Sequence, residues 1–276
     1  MTTWFITGCS TGIGKELANA VLANGSNAVV TARNPAAVQD IVAGHPSTAL
    51  ALALDVTKKA QIVEAVAAAE ARFGGIDVLV NNAGHGFRGA VEEADDEEIR
   101  QVFETNFFGL VAVTQAVLPG MRARRRGHII NISSTGGRMA QPRSSFYSAT
   151  KFAVGGLSDA LRKEVKPLGI HVTVVEPSGF RTDFAGRSLQ QSKRTIDDYD
   201  ATAGTRRKER INSHGWQPGD PVRAATALIK ITQSASPPFR LALGRAAVTR
   251  IRAELEDHIK EIETWAELSN GADFPA

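Results

Sequence analysis

Apolar residues along this chain fall into short runs separated by glycine or polar breaks. Between those runs they recur every three or four residues. Trp4–Thr7, Asn27–Ala32, Ala49–Leu54, Ile76–Val80, His128–Ile132, His171–Val175 and Phe239–Leu243 have the length and continuity of buried strands. Lys15–Ala23 carries Leu17, Ala18, Val21 and Leu22 at helical spacing. Pro35 suits the first turn of a helix reaching about Ala43. Lys58–Phe73 is an alanine-rich helix stopped by Gly74-Gly75. Asp95-Asp96-Glu97-Glu98 places acids at the positive end of a helix running to about Met121, with a bend expected near Gly109 or Pro119. Helices follow over Tyr147–Leu168, closed by Gly169, and over Pro221–Gln233. Strands alternating with helices predict an α/β fold: a doubly wound, parallel, seven-stranded sheet with helices on both faces and right-handed crossovers.

Two segments stand outside that rhythm. Residues 183–215 are polar, with few apolar anchors. A loop of that length in a compact body is usually functional or disordered. Ala246–Leu268 predicts a C-terminal helical extension with Ile251, Leu255, Ile259, Ile262 and Leu268 on one stripe, to pack on the body or on a partner subunit. No repeat or linker is visible, so residues 1–276 read as one domain.

Composition adds limits. With 276 residues, 43% hydrophobic and 22% charged, the chain has an ordinary globular balance. A formal charge of +3 is too weak to argue for nucleic acid. Arg122 and Arg124–Arg126 end a helical stretch, where cations meet its negative end. Arg206-Arg207-Lys208-Glu209-Arg210 reads as a solvated face. Cys9 is the one cysteine, which leaves no internal disulfide. The first apolar run is too short for a signal peptide or membrane span, so a cytoplasmic protein without membrane partners is expected. The six histidines are scattered and no metal site is expected.

Two local patterns carry chemistry. Gly8-Cys9-Ser10-Thr11-Gly12-Ile13-Gly14 lies between the first strand and the first helix, where glycines let backbone approach a pyrophosphate and the helix N-terminus favours the anion. Tyr147 and Lys151 stand four apart at a helix start, on one face. An ammonium beside a phenol predicts a phenol pKa below its usual value of roughly 10, suited to proton exchange with a carbonyl or alcohol. Cys9 has no basic partner nearby in sequence and reads as a packing residue.

Thr7-Gly8-x-x-x-Gly12-Ile13-Gly14, Asn81-Asn82-Ala83-Gly84, Asn106, Ser134 and Tyr147-x-x-x-Lys151 appear in an order and spacing that resembles the compact, single-domain branch of the short-chain dehydrogenase/reductase family. The resemblance runs from Thr3 to about Thr182. It implies a Rossmann-type sheet with a nicotinamide cofactor across its carboxyl edge, at the topological switch point. It also implies Tyr147 as proton donor or base, and Lys151 on the ribose hydroxyls, lowering the phenol pKa. Ser134, chosen over Ser133 by its interval to the tyrosine, would hold the substrate oxygen. Asn106 would help hold a relay water, and Asn82, Ala83 and Gly84 would line the adenosine side. Ser10, Thr11 and Ile13 belong to the cofactor turn. Asp55-Val56 resembles the adenine contact. Pro177, Gly179, Phe180 and Thr182 resemble the segment beside the nicotinamide carboxamide, although Ser178 stands where the family usually has glycine.

In such enzymes an acid ending the second strand favours NAD, whereas a nearby arginine accommodates the NADP phosphate. Here Ala32 takes the acid's place and Arg33-Asn34 follow. Arginine's fork suits a phosphate, so NADPH is predicted over NADH. His85, Phe87, Gly136, Gln141 and Phe184 fall where the family lines its pocket; Phe87 and Phe184 serve equally well as core packing. Residues 183–215 resemble the mobile substrate lid. The reaction implied is reduction of a medium-sized, mostly apolar ketone or aldehyde, or oxidation of the alcohol. The alternative is a non-catalytic NADPH-binding regulator. An epimerase or enoyl reductase fits the glycine and Tyr–Lys spacings less well. Family members commonly form homodimers or homotetramers through the helices here at Glu97–Met121 and Tyr147–Leu168.

Overall fold

A computed structural model describes residues 1–186, 188–204 and 215–274. Seven parallel strands form the main sheet: β1 (Thr3–Ile6), β2 (Asn27–Ala32), β3 (Ala49–Ala53), β4 (Val78–Asn81), β6 (Gly127–Ile132), β7 (Ile170–Pro177) and β9 (Arg240–Leu243). Their order is β3-β2-β1-β4-β6-β7-β9. The direction of winding reverses beside β1, which pairs Ile6 with Val30 of β2 on one side and with Val80 of β4 on the other.

The apolar runs are explained by cover on both faces. Trp4 and Ile6 join one core with Leu17 and Val21 of α1 (Gly12–Ala23) and Ala225 and Leu228 of α7 (Pro221–Thr232). Phe5 points the other way. It joins Ile62 and Val66 of α3 (Lys59–Phe73), Val113 and Val117 of α5 (Gly109–Arg124), and Leu161 of α6 (Ser145–Val165). Successive strand residues face opposite sides, so a doubly covered strand has no polar face.

Several boundaries differ from the sequence reading. The first helix begins at Gly12, because the glycine turn feeds straight into it. The segment after β2 is a 3-10 turn, Pro35–Val38, and a single helical turn, α2 (Gln39–Val42). The helix predicted to begin at Tyr147 begins at Ser145 and ends at Val165, continuing as a 3-10 turn to Leu168. The long acidic-start helix is interrupted by a π turn, Glu104–Phe108, between α4 (Asp96–Phe103) and α5. A Cβ on Gly109 would come 2.7 Å from Val56 Cγ2, so the glycine marks close packing as well as the bend. The whole run from Asp96 to Arg124 is long and apolar enough to cross a membrane. Here it lies against the body, burying Val102, Leu110, Val113, Val117 and Met121.

A second, two-stranded sheet pairs β5 (Gly86–Arg88) with β8 (Leu189–Gln191). Each strand is three residues long and neither has an alternating pattern to announce it. The predicted lid is therefore partly a strand fixed to the body. Residues 205–214, including the basic run from Arg206, lie outside the described residues. The C-terminal extension divides into α8 (Arg245–Thr264) and α9 (Ala266–Asn270).

Candidate active site

A cleft of about 1690 Å³ runs along the carboxyl edge of the main sheet. It exceeds the several hundred to roughly 1,000 Å³ of a typical small-ligand pocket and has room for two molecules. One end is the glycine turn. Gly8 adopts φ +73°, and a Cβ there would stand 2.9 Å from Ala83 Cα. A Cβ on Gly14 would strike Asn82 Nδ2 and the Gly8 carbonyl. That Asn82 amide donates to the Thr7 and Gly8 carbonyls at 2.9 Å each, and Thr7 Oγ1 accepts from the Asn82 and Ala83 N–H groups. The end of β4 is thus stitched to the turn. Thr11 makes no side-chain cap on α1, and the N–H groups of the first helical turn have no intrahelical or capping partner among the described residues. These features fit a phosphate cradle: bare backbone, helix N-terminus and no Cβ in the way.

Ser10, Thr11, Gly12 and Ile13 line this end of the cleft. A Cβ on Gly12 would lie 3.2 Å from Thr182 Cβ, which brings Thr182 onto the turn from the far side of the sheet. Pro177, Gly179 and Phe180 line the same wall. Cys9 is fully buried and its thiol contacts the Ile6 carbonyl. Burial pushes its pKa up to about 12, consistent with a packing residue.

At the β2 end, Arg33, Asp55 and Val56 line the cleft. Arg33 is exposed. Asp55 Oδ1 accepts from the N–H and hydroxyl of Thr57 at 3.0 and 2.8 Å, which fixes the carboxylate. Asn34 does not join them. Its side chain turns to accept the Ala36 N–H at 3.0 Å and caps the following 3-10 turn. Gly14, too, is set behind the lining, beneath Asn82.

Tyr147 and Lys151 rise from the first turns of α6 into the middle of the cleft, with Ser134 opposite, just past β6. Ser134 hydrogen-bonds the Tyr147 phenol and its Oγ also accepts the Gly136 N–H at 3.0 Å. Ser133 is buried and its hydroxyl turns to the Lys151 carbonyl, 3.3 Å away. Lys151 Nζ donates to the Ile132 carbonyl at 2.8 Å and stands 5.7 Å from the centre of the Tyr147 ring.

The phenol pKa runs opposite to the sequence expectation. Burial raises Tyr147 to about 12, and the Ser134 hydrogen bond only partly offsets it. The ammonium that was to lower it is itself buried, and loss of solvation brings Lys151 down to about 8. Spacing on a helix gave the neighbour correctly but not the depth, and depth sets the sign.

Asn106 sits in the π turn, behind the cleft surface. Its Oδ1 accepts the His85 N–H and its Nδ2 donates to the His85 carbonyl, both at 2.9 Å. A third contact reaches Thr150 Oγ1 at 3.4 Å. The side chain anchors the His85 backbone, and Gly84 lies between it and Lys151 Nζ.

The residues expected to meet a substrate gather at the other end of the cleft. His85, Phe87, Gly136, Gln141 and Phe184 all border it. Phe184 lies 5.7 Å from the Tyr147 ring, tilted by 57°. Phe87 is buried edge-on to Phe146 and presents little surface. The His85 pKa is lowered, first by burial and then by the charges of Arg33 and Lys151. Among residues the sequence reading missed, Leu189 of β8 packs on Gly86, and Arg250 reaches the cleft from α8. Neither position carries a local signal.

The segment that follows β8 is strapped down by acids. Buried Glu93 accepts the Ala90 N–H at 2.8 Å and the Ile196 N–H at 3.0 Å. Glu98, besides its capping role, accepts the Lys193 N–H at 3.1 Å. Arg143 donates to Gln191 Oε1 from the cleft wall.

Residues 2–193 match the family described as short chain dehydrogenase. Oxidoreductase BOA17 of Botryotinia fuckeliana is 39% identical over 96% of this chain and 97% of its own. A 3-ketodihydrosphingosine reductase of Bacteroides thetaiotaomicron is 40% identical over 87% of this chain and 86% of its own. Among solved structures, a short-chain dehydrogenase from Streptomyces avermitilis superposes with a TM-score of 0.93 at 41% identity, covering 99% of each chain. A serine dehydrogenase complexed with NADP+ superposes at 0.74 with 28% identity, over 87% of this chain and 93% of its own.

Proposed function

The chain belongs to the short-chain dehydrogenase family, and from that premise we propose that it interconverts a carbonyl compound and an alcohol with NADP(H). The observation that carries this reading is the convergence of Ser134, Tyr147 and Lys151 in one cleft with the glycine cradle and Arg33. The cradle from Gly8 to Ile13 would hold the pyrophosphate, and Arg33 the ribose phosphate. Asp55 and Val56 would hold the adenine, and Lys151 the nicotinamide ribose. When bound, the nicotinamide supplies or takes the hydride; the rest is the protein's work.

Ser134 donates a hydrogen bond to the substrate oxygen as negative charge grows there. Tyr147 donates the proton. Its raised pKa keeps the phenol protonated at neutral pH, the form that carbonyl reduction requires. Lys151, charged below about pH 8, supports the phenolate left behind. Asn106 holds the backbone of His85 and, through it, the wall of the pocket. Phe184, Leu189 and Gly136 around a single polar centre suit a medium-sized, mostly apolar ketone or aldehyde; the ketone-reductase name of one relative agrees with that class. Exposed Phe108 and Phe152 on the α4–α6 side suit a homodimer or homotetramer.

The test is loss of NADPH absorbance over a panel of ketones and aldehydes, with NADH in parallel, for the wild type and Tyr147→Phe. Removing a positioned proton donor should cost about 10²- to 10⁴-fold in turnover, with cofactor affinity nearly unchanged. Near-normal turnover in the variant would remove Tyr147 from its role. Tight NADPH binding with no turnover on any carbonyl or alcohol would favour the non-catalytic regulator.

A further inference from the structure

Among the described residues, the helix α8 is anchored to the body only at its start. Ala247 and Ile251 are buried, whereas no residue from Arg252 to Phe274 is. Helices in water draw most of their stability from packing an apolar face, and isolated stretches of about 12–15 residues are marginal. The projecting part nevertheless carries such a face. Val248, Leu255, Ile259 and Ile262 are spaced seven, four and three residues apart, a single helical stripe. They are 55%, 43%, 55% and 70% exposed.

Charge along the same element is segregated. Residues 245–252 hold three arginines, Arg245, Arg250 and Arg252, and no acid. Residues 254–267 hold six carboxylates against the single cation Lys260. A parallel partner would set like halves together. An antiparallel copy can set each basic start, residues 245–252, on the end of the other's acidic half, where Glu263 and Glu267 stand.

We propose that the exposed stripe of α8 docks against the same stripe of a second copy of this chain, antiparallel and related by a two-fold axis. Such an interface is isologous, and one register satisfies both features. Leu255 of each copy then lies opposite position 259 of the other, and Arg252 stands beside position 263, where the sequence has Glu263. Arg252 is held in the single chain by an exposed pair with Glu256 at 2.8 Å. Such pairs contribute little, so it is free to re-pair across the interface. The excess of acid on the projecting half disfavours an anionic lipid surface as occupant. This contact is separate from the α4–α6 side and does not depend on the catalytic reading.

The experiment is disulfide trapping in the full chain. Leu255→Cys and Ile259→Cys variants, carrying tags of different mass, are co-expressed and mildly oxidised. Native Cys9 is buried and silent. The expected product is a heteromeric cross-link between the two variants in at least fivefold excess over either self-pair. Adding Arg252→Glu should cut the yield at least fivefold, and combining it with Glu263→Arg should restore it. No cross-link, or self-pairing at position 255 in excess, would overturn the proposal. So would equal yields in all charge variants. Wild-type chain that sediments with phosphatidylcholine–phosphatidylglycerol vesicles, without the heteromeric cross-link, would assign the face to lipid and overturn it too.

Discussion

Glu93→Ala is the perturbation that reaches the proposed substrate pocket without touching its lining. The carboxylate is 3% exposed and accepts two backbone N–H groups, from Ala90 and Ile196. Its own carbonyl accepts the Ser192 hydroxyl. Hydrogen bonds to a charged group contribute about 1.5–3 kcal/mol each, so two amount to about 3–6 kcal/mol gross. Removing the buried carboxylate also removes its desolvation cost, roughly 2–3 kcal/mol. A net of about 2 kcal/mol remains, concentrated where residues 192–196 meet the body. At 1.4 kcal/mol per tenfold, local opening should become about 30-fold more frequent. The assay is amide hydrogen exchange at Ile196, read beside steady-state kinetics. Exchange at Ile196 should accelerate by about that factor while amides of β1 and β4 keep their rates. Because Leu189 of β8 packs on Gly86 at the substrate end, KM for the carbonyl substrate should rise severalfold, with kcat within about threefold. Unchanged exchange at Ile196 together with an unchanged KM would refute the strap.

Other consequences are equally direct. Arg33→Ala should lower kcat/KM for NADPH about 30-fold, from loss of roughly 2 kcal/mol of charge-assisted bonding to a phosphate. NADH should change less than about twofold, and parallel losses with both cofactors would count against the assignment. The pH profile of kcat/KM for carbonyl reduction should fall above about pH 8, where buried Lys151 loses its proton, while the phenol stays protonated to about 12. A flat profile to pH 10 would contradict this. His128 is buried against Thr173, and desolvation lowers its pKa from 6.5 to about 4. The folded state therefore resists a proton that the unfolded chain accepts. Its contribution to stability is complete above pH 6.5 and is lost as pH falls toward 4, by at most about 3 kcal/mol. Urea unfolding of His128→Gln should show a flatter decline across that window than the wild type.

Much of this protein is determined by the order of its residues alone. Seven apolar runs with helical intervals between them imply a parallel sheet, because strands without a polar face need cover on both sides. A glycine turn at the first strand–helix junction places bare backbone at a helix N-terminus. Tyr147 and Lys151 share a face because α-helical geometry makes them neighbours, and these relations span at most a few residues. What tertiary structure alone decided depends on depth and on distant partners. Lys151 and Tyr147 are neighbours as predicted, yet burial reverses the pKa shift that the pairing implied. Asn34 has the right place in the chain and turns away, its amide oxygen accepting the Ala36 N–H. Asn106 is drawn behind the cleft by a π turn, whose extra residue per turn no periodicity revealed. Glu93 looks like one acid among several until Ile196, about a hundred residues later, folds onto it. Strands β5 and β8 are too short to carry a pattern and exist because they pair with each other. Local chemistry sets which conformations and neighbours a residue can have; solvent exclusion and long-range contact set what those neighbours do to it.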